Sequence, residues 1–242
     1  MSYKADTHMH SIYSYDGQMK LEDMVERGMD LGLEYMAFTE HLEFGQINMN
    51  QFLNRYDLYK REVERLQELY PNITLLKGVE VSNPENYSEQ MRVLKMLDLD
   101  YIIGSNHILP DDNSKREILL YYQRILGMVI NCDIDAVGHL DYLRRRVDDS
   151  LLPNDMIGVI FKEMIRKNIA LEINTSAVRR SGLDSFPSDE KLELYRSLGG
   201  NMVTYGSDAH RLYEIYDAID EVSSKYDFNQ GVFVKRKFLS LK

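Results

Sequence analysis

The chain has 242 residues, 44% of them hydrophobic and 28% charged, with a formal net charge of −10. This composition supplies a sizeable apolar core and disfavours a general binder of long nucleic acids, because an acidic chain repels phosphate backbones unless a local site reverses the sign. The lone cysteine, Cys132, rules out an intrachain disulfide framework, the N-terminus lacks the apolar stretch of a signal peptide, and no apolar run nears the ~18 residues of a membrane span, so the expectation is a cytoplasmic protein without a membrane partner.

Short apolar runs alternate with helical patterns along the chain. Strands are expected near 4–8, 35–39, 73–79, 101–104, 134–138, 169–173 and 201–206, and helices near 20–32, 50–70, 86–97, 114–131, 153–167, 188–198 and 212–224. In the 50–70 helix, Phe52, Leu53, Tyr56, Leu58, Tyr59, Val63, Leu66 and Leu69 form an apolar stripe. Pro71-Asn72 ends that helix, Pro153 opens a later one, Ser188 or Asp189 caps the next, and Gly199-Gly200 stops it. Seven strand–helix units in strict alternation call for parallel strands joined by crossovers. The expectation is one α/β domain over 1–242, either an open doubly wound sheet or a closed barrel. The tail from Gly231 to Lys242 either covers one end of the barrel or contacts a partner.

All six histidines, His8, His10, His41, His107, His139 and His210, fall at the C-terminal ends of expected strands. That rim is where functional groups converge in an α/β barrel, whereas an open sheet gathers ligands mainly at one switch point. The distribution over most strands favours a closed ring. His8 and His10 are two apart, so on a strand both imidazoles point the same way, and Asp208 and His210 repeat the spacing on the last strand. Glu80 closes the apolar run Leu75-Leu76-Lys77-Gly78-Val79-Glu80, an unfavourable place for an acid without partners. Among these histidines it reads as a carboxylate bridging two cations. Imidazoles and carboxylates without thiolates suit zinc, iron or manganese.

The ordered set Asp6-Thr7-His8-Met9-His10, Ser14-Tyr15-Asp16-Gly17, Thr39-Glu40-His41, Gly78-Val79-Glu80, Gly104-Ser105-Asn106-His107, Gly138-His139-Leu140-Asp141 and Gly206-Ser207-Asp208-Ala209-His210 resembles the PHP family, the polymerase and histidinol phosphatase superfamily. Within it, the chain is most similar to stand-alone histidinol-phosphate phosphatases, with Leu171-Glu172-Ile173-Asn174-Thr175-Ser176 as a further match. The resemblance implies a distorted (β/α)7 barrel, TIM-barrel-like, with two or three divalent metal ions. It implies one metal on His8, His10, Glu80 and Asp208, a second on Glu80, His107 and His139, and a third near His41 and His210. Asp16 stands at the third site where some relatives have a histidine. Asp16 reads equally as a turn former before Gly17.

The activity implied is hydrolysis of a small phosphate monoester, histidinol phosphate in histidine synthesis being favoured, with hydroxide bridging the metals as nucleophile. The catalytic set is Asp16, His41 and His210, with Asp16 or a water on the third metal protonating the leaving group. Of the two arginine clusters, Arg144 to Arg146 and Arg179-Arg180, Arg144 and Arg179 are the expected phosphate binders. Glu43 and Asp141 are the carboxylates available for a substrate amine, and Cys132 is expected to be inert. Two rivals stay open: a PHP phosphoesterase acting on a nucleotide or an oligonucleotide end, and a non-catalytic metal-stabilised binding module.

Overall fold

A computed structural model describes residues 3–241. Seven parallel strands carry the fold: β1 (Ala5–Met9), β2 (Tyr35–Leu42), β3 (Thr74–Ser82), β4 (Tyr101–Ser105), β5 (Ala136–Val137), β6 (Ala170–Asn174) and β7 (Met202–Gly206). Each pairs with the next in sequence order. The ring closes between β7 and β1: Thr7 Oγ1 donates to Tyr205 O (2.9 Å), Asp208 N–H to His8 O (2.8 Å) and His10 N–H to Ala209 O (2.9 Å). The closed barrel replaces the open-sheet alternative.

Helices α1 (Leu21–Asp30), α2 (Met49–Leu69), α3 (Ser88–Leu94), α4 (Lys115–Asn131), α5 (Asn154–Lys167), α6 (Ser176–Ser181), α7 (Asp189–Ser197) and α8 (Ile219–Ser223) make the crossovers. Their boundaries have local causes. Asn48 and Gln51 form a reciprocal capping box on α2, Ser114 caps α4, Ser188 caps α7, and α5 begins right after Pro153 and ends on left-handed Asn168. On α2, Phe52, Tyr56, Tyr59, Val63 and Leu66 are buried as expected, but Leu58 and Leu69 lie on the solvent side of the helix.

The expected helix over 212–224 is broken. A single 3-10 turn, Leu212–Glu214, precedes α8, and Tyr216 and Ala218 between them take positive φ. The cause is buried Asp6, whose Oδ2 accepts the Tyr216 N–H (2.8 Å) and so removes that amide from a helical ladder. The one-turn α6 had no periodic pattern long enough to read.

The tail adds strands β8 (Asn229–Val234) and β9 (Lys237–Ser240). β8 runs parallel to β7 at its N-terminal end, and β9 folds back on β8. Four alanines, Ala5, Ala37, Ala136 and Ala170, leave room at the bottom of the barrel, and Val232, Phe233 and Leu241 fill it. Phe233 stacks on Tyr101 at 5.3 Å, and Arg236 fastens the hairpin to Asp135 (2.5 Å). The tail therefore covers one end of the barrel, the end opposite the histidines.

Candidate metal centre

Strand register brings the histidines and acids together. His41 and Glu80 are direct partners across β2 and β3, so their side chains emerge side by side. His8 lies within β1, and His10 just beyond it. His107, His139 and His210 follow β4, β5 and β7 on short rim loops. Two of these turns need uncommon backbone: His139 has φ +24° and Asp208 φ +53°.

Glu80, buried, is the hub. One oxygen lies 2.8 Å from His139 Nε2 and 3.2 Å from His107 Nε2; the other lies 2.9 Å from His41 Nδ1, 3.5 Å from His8 Nε2 and 3.7 Å from His10 Nε2. Asp208 approaches His10 (3.5 Å) and His210 (3.6 Å), and Asp16 spans His41 (3.4 Å) and His210 (3.2 Å). Four groupings have ligand atoms mutually within 4.8 Å: His8, His10 and Glu80; Glu80, His107 and His139; His10, His41 and His210; and His41, Glu43 and His107.

This donor set fits cations. His8 Nε2 and His10 Nε2, both buried, face each other at 3.0 Å. Two imidazole lone pairs that close repel unless a proton or a metal lies between them. His139 Nδ1 is buried with no hydrogen-bond partner. Burial works against ionisation of Glu80, yet the imidazoles of His107, His8 and His41 hold its carboxyl well below the usual carboxylate range. Burial likewise opposes protonation of His41, but Glu80 and Asp16 raise it to about 9. Without metal, then, a proton on His41 faces the Glu80 and Asp16 carboxylates, where a cation would otherwise sit, while buried His10, beside His41, is held neutral.

Further carboxylates stand behind the histidines, and sequence reasoning gave them no role there. Buried Glu172 on β6 accepts from His8 Nδ1 (2.5 Å) and from the His139 N–H (2.7 Å). Glu40 accepts from Ser11 Oγ and Ser14 Oγ (both 2.6 Å), and Ser14 Oγ in turn accepts the His41 N–H (2.9 Å). Glu43 lies 2.7 Å from His107 Nδ1. The signal that singled out Glu80, an acid in an apolar strand, applies equally to Glu172 between Leu171 and Ile173.

A cleft of ≈ 570 Å³ opens over the cluster, lined by Asp16, His41, Glu80, His107, His139, Asp208 and His210 together with Tyr15, Glu43, Tyr87, Tyr142 and Arg180. Neither arginine expected at the phosphate lines it. Arg144 is buried, tied to Asp149 (2.6 Å), Asp184 (2.5 Å) and Ser185 O (2.7 Å). Arg179 donates to Ser207 O (3.1 Å) and faces Glu214 and Asp217, behind the Asp208 turn. Arg144 is consumed by neighbouring acids and a carbonyl, Arg179 is turned to the backbone behind the Asp208 turn, and the adjacent Arg180 reaches the cleft, beside Asp208 and His210. Of the two carboxylates considered for an amine, Glu43 lines the cleft, while Asp141 is buried, accepting the Ser188 N–H. Cys132 sits at the end of α4, outside the cleft.

A barrel whose C-terminal rim gathers histidines and carboxylates around one bridging acid defines the class of barrel metalloproteins. The chain belongs to the PHP domain family, whose model matches residues 6–176. It is 29% identical to the probable histidinol-phosphatase of Thermotoga maritima, over 98% of each chain. It is also 29% identical to the histidinol-phosphatase of Lactococcus lactis, over 86% of this chain and 84% of the other. The crystal structure of histidinol phosphate phosphatase from Lactococcus lactis, complexed with zinc, L-histidinol and phosphate, superposes with a TM-score of 0.81 over 98% of this chain and 99% of the other, at 23% identity. Among the described residues no helix is long and apolar enough to cross a membrane.

Proposed function

We propose that the protein is a metal-dependent phosphomonoesterase that hydrolyses L-histidinol phosphate, with the chain from 1 to 242 working as one catalytic domain. The observation that carries this is the convergence of six histidines, Glu80 and Asp208 under one cleft. Relatives of nearly the same length named histidinol-phosphatase support the substrate.

Two or three cations, drawn from zinc, iron and manganese, would be held by His8, His10, Glu80 and Asp208; by Glu80, His107 and His139; and, for a third, by His41, His210 and Asp16. When bound, they supply Lewis-acid charge for the phosphate and lower the pKa of water toward neutrality. The chain's own groups do the rest. Arg180 is the cleft's guanidinium and takes a phosphate oxygen. Glu43, ionised beside His107, faces the outer cleft as the partner for a substrate ammonium. Burial works against the Asp16 charge, but His210 and His41 keep its carboxyl well below the usual carboxylate range. Asp16 is therefore suited to hold a cation together with those two imidazoles, and a water on that cation is the candidate proton donor to the leaving group.

The test is phosphate release from histidinol phosphate by metal-loaded protein, compared with nucleotide monophosphates and a 5′-phosphorylated oligonucleotide. Preferential turnover of histidinol phosphate is expected. Faster turnover of a nucleotide or an oligonucleotide end removes the substrate and keeps the chemistry. No release from any ester removes both.

A further inference from the structure

Glu172 is completely buried, and among the described residues its ion-pair partner is His8, with no lysine or arginine against it. An uncompensated buried carboxylate is costly. Its two oxygens are shared between two ligands of the cluster from different strands. Oε1 lies 2.5 Å from His8 Nδ1, and Oε2 accepts the His139 N–H at 2.7 Å, with Asn174 Nδ2 a third donor at 3.3 Å. His139 is the residue with φ +24°, so this bond fastens a backbone turn that is otherwise disfavoured.

The surrounding sequence is cut to fit this contact. A Cβ on Gly206 would lie 2.4 Å from His8 Cβ and 2.6 Å from Glu172 Oε1. A Cβ on Gly138 would lie 2.5 Å from Ser105 Oγ and 3.4 Å from Glu172 Oε2. Gly206, which opens the Gly206-Ser207-Asp208 motif, thus clears the space in which Glu172 meets His8, whereas a side chain at Gly138 would clash with Ser105 and leave Glu172 at ordinary contact distance.

We infer that Glu172 is a positioning residue for the metal centre: it fixes His8 as the Nδ1–H tautomer, with the Nε2 lone pair turned to the cluster, and at the same time holds His139 in its ligating turn. The inference rests on the metal-centre half of the proposed function and is independent of the substrate. Both contacts need acceptors. Glutamine at this place keeps one acceptor and turns the other oxygen into an N–H donor, so it can serve His8 or His139 but not both. The negative charge that makes His8 a better donor to a cation is lost as well.

The experiment is Zn²⁺ titration of metal-stripped wild-type and Glu172→Gln protein against a chromophoric chelator, with melting curves of both metal-free forms. Zinc affinity is expected to fall about 10–100-fold in the variant, the range seen for partners that orient metal-bound histidines. Affinity within twofold of wild type overturns the proposal. So does a lowered metal-free melting temperature with unchanged affinity, because that marks Glu172 as structural only. Glu172→Asp, one methylene shorter, retains the charge but cannot span both partners, and a smaller loss of affinity is expected of it. The unmutated chain gives a check that needs no variant. In ¹⁵N-histidine spectra of the zinc-loaded protein, His8 must carry its proton on Nδ1, and the opposite tautomer overturns the proposal. None of these readings uses turnover, so they stand or fall separately from the choice of ester.

Discussion

Arg144 and Arg180 are the same residue type on the same rim, and their surroundings give them different work. Arg144 is enclosed by Asp149, Asp184 and Ser185 O, with no edge left for a ligand. Arg180 lines the cleft beside Asp208 and His210. Arg180→Ala should lower kcat/KM for a phosphate monoester by about 10–100-fold, the size of one charge-assisted hydrogen bond, and leave the melting temperature nearly unchanged. Arg144→Ala takes the cation from buried Asp141 and from the partly exposed Asp184 and Asp149, and should cost about 1.5–3 kcal/mol of stability. Steady-state kinetics paired with thermal melts check both, and a swap of the two phenotypes would restore Arg144 to the phosphate. The sequence placed arginines on the right loops but not their partners. Asp184 is 40 residues from Arg144, and pairing at that separation depends on the fold. The histidines were legible for the opposite reason, since strand ends and a spacing of two constrain direction without knowledge of distant contacts.

Cys132 shows the same contrast between type and setting. Burial first, then nearby Glu85, pushes its thiol up to about 11. The reactive form is the thiolate, so the sign is clear: alkylation should be slow at neutral pH and quicken with each pH unit up to about 11. Iodoacetamide labelling followed by mass spectrometry reads this rate. Fast labelling at pH 7 would show an activated thiol, and Cys132→Ser should keep full turnover.

At the level of elements, strands β1 to β7 and the long helices could be read because each carries its own period and its own stop signals. The Ser188 cap and the Asn168 stop are local events within a few residues. The tail was legible only as apolar, because its destination is set by what is missing elsewhere. Ala5, Ala37, Ala136 and Ala170, drawn from four strands, leave the space that Phe233 fills. Helix α8 was misplaced for a like reason: its start is fixed by Asp6, 210 residues from Tyr216. The hairpin plug can be tested directly. Phe233→Ala empties a buried site stacked on Tyr101 and should cost about 3–5 kcal/mol. For a chain of this size each kcal/mol is worth ~2–4 °C of melting temperature. Because the plug lies at the opposite end of the barrel from the cleft, kcat per folded molecule should hold. A large fall in kcat without loss of stability would mean that the two ends are coupled.

The whole molecule has an acidic surface and a cluster of like-charged groups at its centre of function. A net charge of −10 repels a phosphate ester at long range, so attraction has to come from cations held within the rim. The same cations bear on folding. Glu80, Asp208 and Glu172 are buried carboxylates whose compensation comes from imidazoles that also face one another, as at the 3.0 Å approach of His8 and His10. Ligand binding to the folded chain alone stabilises it by RT ln(1 + [L]/Kd), about 2.7 kcal/mol at a hundredfold excess over Kd. At ~2–4 °C per kcal/mol that is a rise of roughly 5–11 °C in melting temperature. Stripping with a chelator should therefore lower the melting temperature by about this amount and abolish phosphate release, and Zn²⁺ or Mn²⁺ should restore both. Added metal should also produce the larger shift when its concentration is raised tenfold, as mass action requires. If the melting curve ignores both chelator and metal, the convergent histidines are satisfied by protons alone. In that case the positive charge that meets the substrate comes from protonated imidazoles and Arg180, and the metal-dependent chemistry is lost.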